Sequence, residues 1–176
     1  DGSRSLKVKK GTDALMHEIM KVQDGATLVL TGSEYNMDEP IVIDRAIAIT
    51  GKSKSRFPKL LSNGGSLFEL RAGGKLTLSN VDVVGTEDNE AIFYARGETY
   101  DGAYELALKD INIRQADSAS GALFLHADPA TFAEFVRLDA VNVAGWSGPF
   151  IALSGTGLDG WYLTDDIIIK NSTFDN

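Results

Sequence analysis

Cysteine is absent from the 176 residues, which excludes disulfide scaffolds, thiolate zinc sites, redox motifs and cysteine nucleophiles. Histidine is almost absent too. His17 and His126 cannot build a multi-histidine metal centre, and no Ser-His-Asp set stands out. Apolar runs such as Ile167-Ile168-Ile169 are far shorter than the ~20 residues that cross a bilayer as a helix, so no membrane association is expected. Basic residues are outnumbered, 17 against 25 acidic ones, and a net charge of −8 repels phosphate backbones, so no nucleic-acid partner is expected. Asp1 is preceded by neither an initiator methionine nor a signal peptide. The expectation is therefore a processed chain or a piece of a longer one.

What the sequence has is a repeat. Lys75-Leu76-Thr77-Leu78-Ser79-Asn80-Val81-Asp82-Val83 is followed by Glu105-Leu106-Ala107-Leu108-Lys109-Asp110-Ile111-Asn112-Ile113. Phe135-Val136-Arg137-Leu138-Asp139-Ala140-Val141-Asn142-Val143 and Asp166-Ile167-Ile168-Ile169-Lys170-Asn171-Ser172-Thr173-Phe174 continue it, and Ala46-Ile47-Ala48-Ile49-Thr50-Gly51 is a more degenerate copy. The pivots Asn80, Asp110, Ala140 and Asn171 are separated by 30, 30 and 31 residues. Each copy reads as a short alternating strand, a one-residue bend and a second short strand. Another strand precedes each copy: Leu67 to Leu70, Ile92 to Ala95, Leu123 to His126 and Phe150 to Leu153. No Asn-Gly or Asp-Gly turn joins these strands as hairpins. A coil that returns to its start every ~30 residues is a solenoid. The expected fold is all-β: a right-handed parallel β-helix of about six rungs with an N-terminal capping helix.

The expected organisation is one domain over 1–176, with a leading segment and capping helix in 1–24 and rungs in 25–176. Thr12 is the expected N-cap, Leu15, Ile19 and Val22 the buried stripe, and Gly25 the stop. The last rung, Asp166 to Phe174, is expected to be an open edge with Ile167, Ile169 and Phe174 uncovered, answered by further rungs or by a second copy.

Chemistry is sparse. Turning Leu76, Leu78, Val81 and Val83 inward leaves two outward ladders: Ser79, Lys109, Asp139 and Lys170, then Asp82, Asn112, Asn142 and Thr173. The first reads as charge pairs supporting the sheet, the second as solvated surface. Aligning Phe68, Phe93, Phe124 and Ile151 sets Arg71 beside Arg96 and Tyr94 one rung from Glu69, while His126 falls in an apolar column with Leu70, Ala95 and Leu153. Arg71, Tyr94 and Arg96 are the candidate catalytic residues. In elimination across a uronic acid, cations neutralise the carboxylate, a base takes the adjacent proton and the enolate is stabilised electrostatically. Near Glu69, Glu98 and Asp101 the same arginines also read as salt-bridged surface. Glu87-Asp88-Asn89-Glu90 could collect calcium but lacks EF-hand spacing, so no metal site is assigned. Gly73-Gly74 and Gly155-Thr156-Gly157 lack the lysine and helix of a phosphate loop, Asp165-Asp166 reads as a bend, and Trp146, Trp161 and Tyr162 could stack on sugar rings.

The opening, Gly11 to Leu15 and Asp24 to Leu30 followed by Pro40 to Ile43 and Ala46 to Gly51, resembles the capped start of secreted β-helices. Gly148 to Leu153 and Gly160 to Phe174 are similar to the second β-helix of two-domain alginate lyases, in polysaccharide lyase family 6, the chondroitinase B-like group. The resemblance implies a secreted or periplasmic bacterial enzyme that degrades an anionic polysaccharide such as alginate by β-elimination. It also implies a preceding catalytic β-helix that holds a lysine base, an arginine and calcium in a strand motif rich in Asn, Glu and Lys. That motif is not found here, so no catalytic residue carries over and no cofactor is expected in this chain. The leading expectation is a non-catalytic C-terminal β-helix domain that shapes a groove or a homodimer. An independent carbohydrate-binding or structural β-helix is the alternative, and a lyase in its own right ranks third.

Overall fold

The computed structural model describes residues 5–8, 11–62, 65–85, 91–97, 102–115, 123–145, 150–153 and 164–175. In chain order the elements are β1 (Ser5–Val8), α1 (Ala14–Ile19), β2 (Ala26–Leu30), β3 (Glu34–Met37), β4 (Ile41–Ile43), β5 (Ala46–Gly51), β6 (Lys59–Ser62) and β7 (Phe68–Leu70). They continue with β8 (Lys75–Gly85), β9 (Ala91–Ala95), β10 (Tyr104–Gln115), β11 (Leu123–Ala127), β12 (Ala133–Ala144), β13 (Ile151–Leu153), β14 (Thr164–Lys170) and β15 (Thr173–Asp175). Like strands stack on like strands. One column runs β1-β2-β5-β8-β10-β12-β14, another β4-β7-β9-β11-β13, and β3 with β6 adds a short third wall that joins β8. The assigned pairs, such as β8 with β10 and β10 with β12, are parallel, and their partners lie about one repeat apart. The fold is an all-β parallel β-helix.

The corner column is where sequence and backbone meet most directly. Asn80, Asp110, Ala140 and Asn171 have φ of 54°, 52°, 55° and 51°, the left-handed region. Register places Asp110 opposite Asn80 and Ala140, with Asn171 completing the stack. The bend also switches side-chain parity: Leu78 and Val81, three apart, are both buried, as are Leu108 with Ile111 and Leu138 with Val141. A continuous strand would turn one of each pair outward. Asn and Asp enter this region at lower cost than other side chains, which explains three of the four pivots.

The rung that contains β5 is built differently. After β5 the chain does not bend on one residue but loops over 52–58 before β6. Register sets Gly51 in line with Asn80, where an added Cβ would run into the Asn80 carbonyl and lie 2.7 Å from Pro58 Cδ. Only glycine lets that loop fold back so closely.

The core fills the coil. Leu, Ile and Val side chains from β2 through β12 pack around a file of phenylalanines. Successive ring centroids are 5.5 Å apart for Phe68–Phe93, 5.1 Å for Phe93–Phe124, 4.3 Å for Phe124–Phe150 and 5.1 Å for Phe150–Phe174. Each such contact adds about 0.5–1.5 kcal/mol beyond area burial.

Several expectations need correction. The helix is shorter than its periodicity implies, ending at Ile19, and its N-cap position is held by Asp13 at φ 53° with no side-chain cap, not by Thr12. Asp13 Oδ1 instead accepts from the Asp38 amide at 2.8 Å, so the side chain is spent on the neighbouring turn. Gly25, at φ 79°, serves the turn into β2, its amide donating to the Ala46 carbonyl. The helix C-terminus is closed by Arg45, whose guanidinium donates to the carbonyls of Ile19 and Val22 at 2.5–3.2 Å. Leu15 and Ile19 are buried in the core, the role foreseen for them. β1, β3 and β6 were not foreseen, and Asp165-Asp166 lies within β14 rather than in a bend. Ile167, Ile169 and Phe174 are half-exposed, at 46%, 45% and 48%. No helix among the described residues is long and apolar enough to cross a membrane.

Candidate functional site

The outward column of the second stack carries the most chemistry. Register aligns Val42, Glu69, Tyr94, His126 and Ala152 on successive strands. His126 therefore stands on Tyr94, not in the apolar column expected for it, and Leu125 rather than Phe124 pairs with Phe93 and Ile151. The reason is that alternation is silent here. Every residue of β9 is buried, as are Phe124 and Leu125 in β11, so hydrophobicity does not tell in from out.

Arg71 and Arg96 both reach Glu69. Arg71 Nε and Nη2 donate to Glu69 Oε1 at 2.9 and 2.7 Å, and Arg96 Nε donates to Oε2 at 3.3 Å. The Glu69 side chain is only 10% exposed, whereas the two arginines are 40% and 47% exposed. The Arg96 guanidinium lies 4.6 Å over the Tyr94 ring, and the Tyr94 and His126 rings stack at 4.9 Å and 2°. The candidate trio Arg71, Tyr94 and Arg96 is thus brought into one cluster.

Asp128, which sequence reasoning missed, closes it. Tyr94 donates its hydroxyl proton to Asp128 Oδ1 at 2.8 Å, His126 Nε2 lies 3.2 Å from the same oxygen, and the Gly97 amide donates to Oδ2 at 2.8 Å. Burial pushes the Asp128 carboxyl up. The Gly97 amide, the Tyr94 hydroxyl and the charges of His126 and Arg96 outweigh it and hold the group below the usual carboxylate range. A Cβ at Gly97 would come within 3.0 Å of Asp128 Cβ and the Pro129 carbonyl, so that residue must be small for the turn to close. Tyr94 and Asp128 are 34 positions apart and His126 lies between, close to the repeat length. That spacing is the one signal that could have grouped them.

The chemistry of the cluster is cohesion. Two guanidinium groups meet the Glu69 carboxylate, the phenol proton is directed at Asp128, and the Tyr94 ring packs against both the Arg96 guanidinium and the His126 ring. Among the described residues, no group of three or more His, Cys, Asp or Glu side chains is placed to hold a metal ion. Glu87 to Glu90, Glu98, Asp101, Trp146, Gly155 to Gly157, Trp161 and Tyr162 lie outside the described residues, as do Gly148, Pro149 and Gly160 to Leu163 of the family-like stretch.

The outward ladders are as aligned from sequence, and the second is more than solvated surface. Asn112 Nδ2 donates to Asp82 Oδ1 at 2.8 Å, Asn142 Nδ2 to Asn112 Oδ1 at 3.2 Å, and Thr173 Oγ1 to Asn142 Oδ1 at 2.9 Å. In the first, Lys170 Nζ lies 3.5 Å from Asp139 Oδ2.

The stacked parallel strands and their outward ladders define a parallel β-helix. Among solved structures the chain is similar to a PL6 family alginate lyase, AlyGC, at 21% identity and a TM-score of 0.81, and equally to an arginine-to-alanine mutant of that enzyme. The match covers 97% of this chain but 24% of the AlyGC chain, so the likeness is to a part of that enzyme and establishes the fold. No family model matches the chain, and no curated protein matches it.

Proposed function

We propose that this chain is a non-catalytic β-helix domain, the C-terminal one, of a secreted bacterial enzyme of alginate-lyase type, in which it sits beside a catalytic β-helix and helps to hold an anionic polysaccharide. The observation that carries this reading is the closure of the Glu69–Arg71–Tyr94–Arg96–His126–Asp128 cluster. A lyase site needs a cation that can take up the uronate carboxylate and a base that can take up its proton. Here both arginines are engaged by Glu69, and the phenol and imidazole converge on Asp128. The likeness to part of an alginate lyase supports the setting. Calcium, a lysine base and the eliminating arginine belong, on this reading, to the partner domain.

Digesting alginate with the 176-residue chain while following unsaturated-uronate absorbance tests the proposal. No turnover is expected. Turnover near ~1 s⁻¹, the lower range of ordinary enzymes, that is lost in Tyr94→Phe and Arg96→Gln would overturn it and make Arg71, Tyr94 and Arg96 the catalytic set. In the encoding gene, an upstream β-helix with the lysine–arginine–calcium motif is the expected context.

A further inference from the structure

The widened corner after β5 gathers a run of positive charge on this otherwise acidic chain. Residues 52–58 carry Lys52, Lys54 and Arg56 with no acidic residue among them, and all three side chains are exposed. Lys109, from the corner of β10, faces the same region, although it also stands in register with Asp139, whose carboxyl its charge helps to hold down. None of these four cations takes part in an ion pair among the described residues, whereas Lys75, Arg45, Arg71, Arg96 and Lys170 each do. Lys59, just beyond, has carboxylates on both sides in register, Glu34 and Asp82, and lines neither hollow described below.

The cations line two adjoining concavities that share Phe57. The first, of about 560 Å³, contains Lys52 and Arg56 with Ser33, Ser53 and Ser55. The second, of about 400 Å³, contains Lys54 and Lys109 with Ser79 and Asn80, and its one carboxylate is Asp110. Both volumes fall in the range of small-ligand sites. The first hollow thus offers two cations and neutral hydrogen-bonding side chains; the second offers two cations partly offset by Asp110, with the half-buried Phe57 ring shared by both. In solenoids, a loop inserted at one rung is where binding surfaces are commonly built.

The loop is held in place rather than hanging free. The Lys52 amide donates to the Leu30 carbonyl at 3.0 Å, and the Asp82 amide donates to the Pro58 carbonyl at 2.9 Å. Ser53 Oγ accepts from the Ser55 and Arg56 amides at 3.2 and 2.9 Å, and Gly51 permits the close return of Pro58. Ser79 Oγ and Asn80 Nδ2 are fixed on Thr50 Oγ1 at 2.9 and 3.2 Å. A fixed platform loses little entropy on binding.

We infer that this corner is a binding site for an acidic polysaccharide, its two hollows taking the carboxylates of neighbouring sugar units while Phe57 meets a sugar ring between them. The inference rests on the proposed polysaccharide-handling role and adds to it where the chain is held. Two adjoining hollows, each with two cations, suit a polymer with one charge per unit better than a single small anion. Nucleic acid is disfavoured because the chain as a whole, at a net charge of −8, repels a continuous phosphate chain, and among the described residues that line the hollows only Phe57 is aromatic for base stacking.

The test is calorimetric titration of the 176-residue chain with a uronate tetrasaccharide prepared from alginate. Lys52→Glu/Arg56→Glu disarms one hollow and Lys54→Glu/Lys109→Glu the other, while Lys21→Glu/Lys170→Glu makes the same change of net charge elsewhere. Each hollow variant should weaken binding by about tenfold or more, the control by less than about twofold, and salt should weaken the wild type. Unchanged melting temperatures show that the variants fold. Undiminished binding in both hollow variants overturns the site and leaves the polysaccharide role standing; no binding to the wild type at millimolar concentration overturns both. Equal loss in the control, equal affinity for inorganic phosphate, or tighter binding of single-stranded DNA also overturns the inference.

Discussion

Ala140 is the one pivot whose side chain does not suit its backbone. At φ 55° it copies Asn80, Asp110 and Asn171 in conformation but has no polar group with which to offset the left-handed geometry. For a residue with a Cβ that geometry costs about 1–2 kcal/mol, while glycine gives back about 0.5–1 kcal/mol in chain entropy. Ala140→Gly should therefore stabilise the protein by roughly 0.5–1 kcal/mol. Ala140→Asn should do as well, because asparagine enters the region without glycine's entropic cost. Ala107→Gly is the control, a half-buried alanine in the extended part of β10, and it should destabilise by about 0.5–1 kcal/mol. For a chain of this length 1 kcal/mol moves the melting temperature by about 2–4 °C, so Ala140→Gly and Ala107→Gly should separate in opposite directions by an amount that circular dichroism resolves. If both glycines lower the melting temperature equally, the pivot is not strained and the account of the corner column fails.

Two further outcomes follow from the surface of the coil. Asp128 is held below its unfolded pKa of about 3.9, so its contribution to stability is complete above that pH and is lost as pH falls through the lower folded value. Melting temperatures should stay level from pH 7 to about 4.5 and drop below it. Asp128→Asn should reduce that drop, and a drop of unchanged size would remove Asp128 from the acid response. Asn112→Ala breaks two links of the amide ladder, and at about 0.5–1.5 kcal/mol per hydrogen bond, reduced by solvent exposure, the urea midpoint should fall by an amount equivalent to about 1 kcal/mol. A midpoint equal to that of wild type would show that the ladder is only surface.

By itself the sequence determined the repeat, the parallel stacking and the corner, because these follow from local rules. Alternation fixes which side chains turn inward, and Asn or Asp at a constant step marks where the backbone enters the left-handed region. The same rules placed Arg71, Tyr94 and Arg96 near Glu69, since one repeat length brings them onto neighbouring rungs. They failed wherever a strand is apolar on both faces. In β9 and β11 neither parity is favoured by hydrophobicity, and only the register that pairs Leu125 with Phe93 and Ile151 settles that His126 stands on Tyr94. They failed again at α1, where a six-residue helix is ended by Arg45 from another rung rather than by its own glycine. The basic corner is the clearest division between the two levels. Lys52, Lys54 and Arg56 are plain in the sequence, but a net charge of −8 averages them away. Whether a charge run is a solvated face or the wall of a cavity depends on what stands opposite it. Here that is Ser79, Asn80 and Lys109, which lie tens of residues away in the chain and are brought to the corner by the return of the coil.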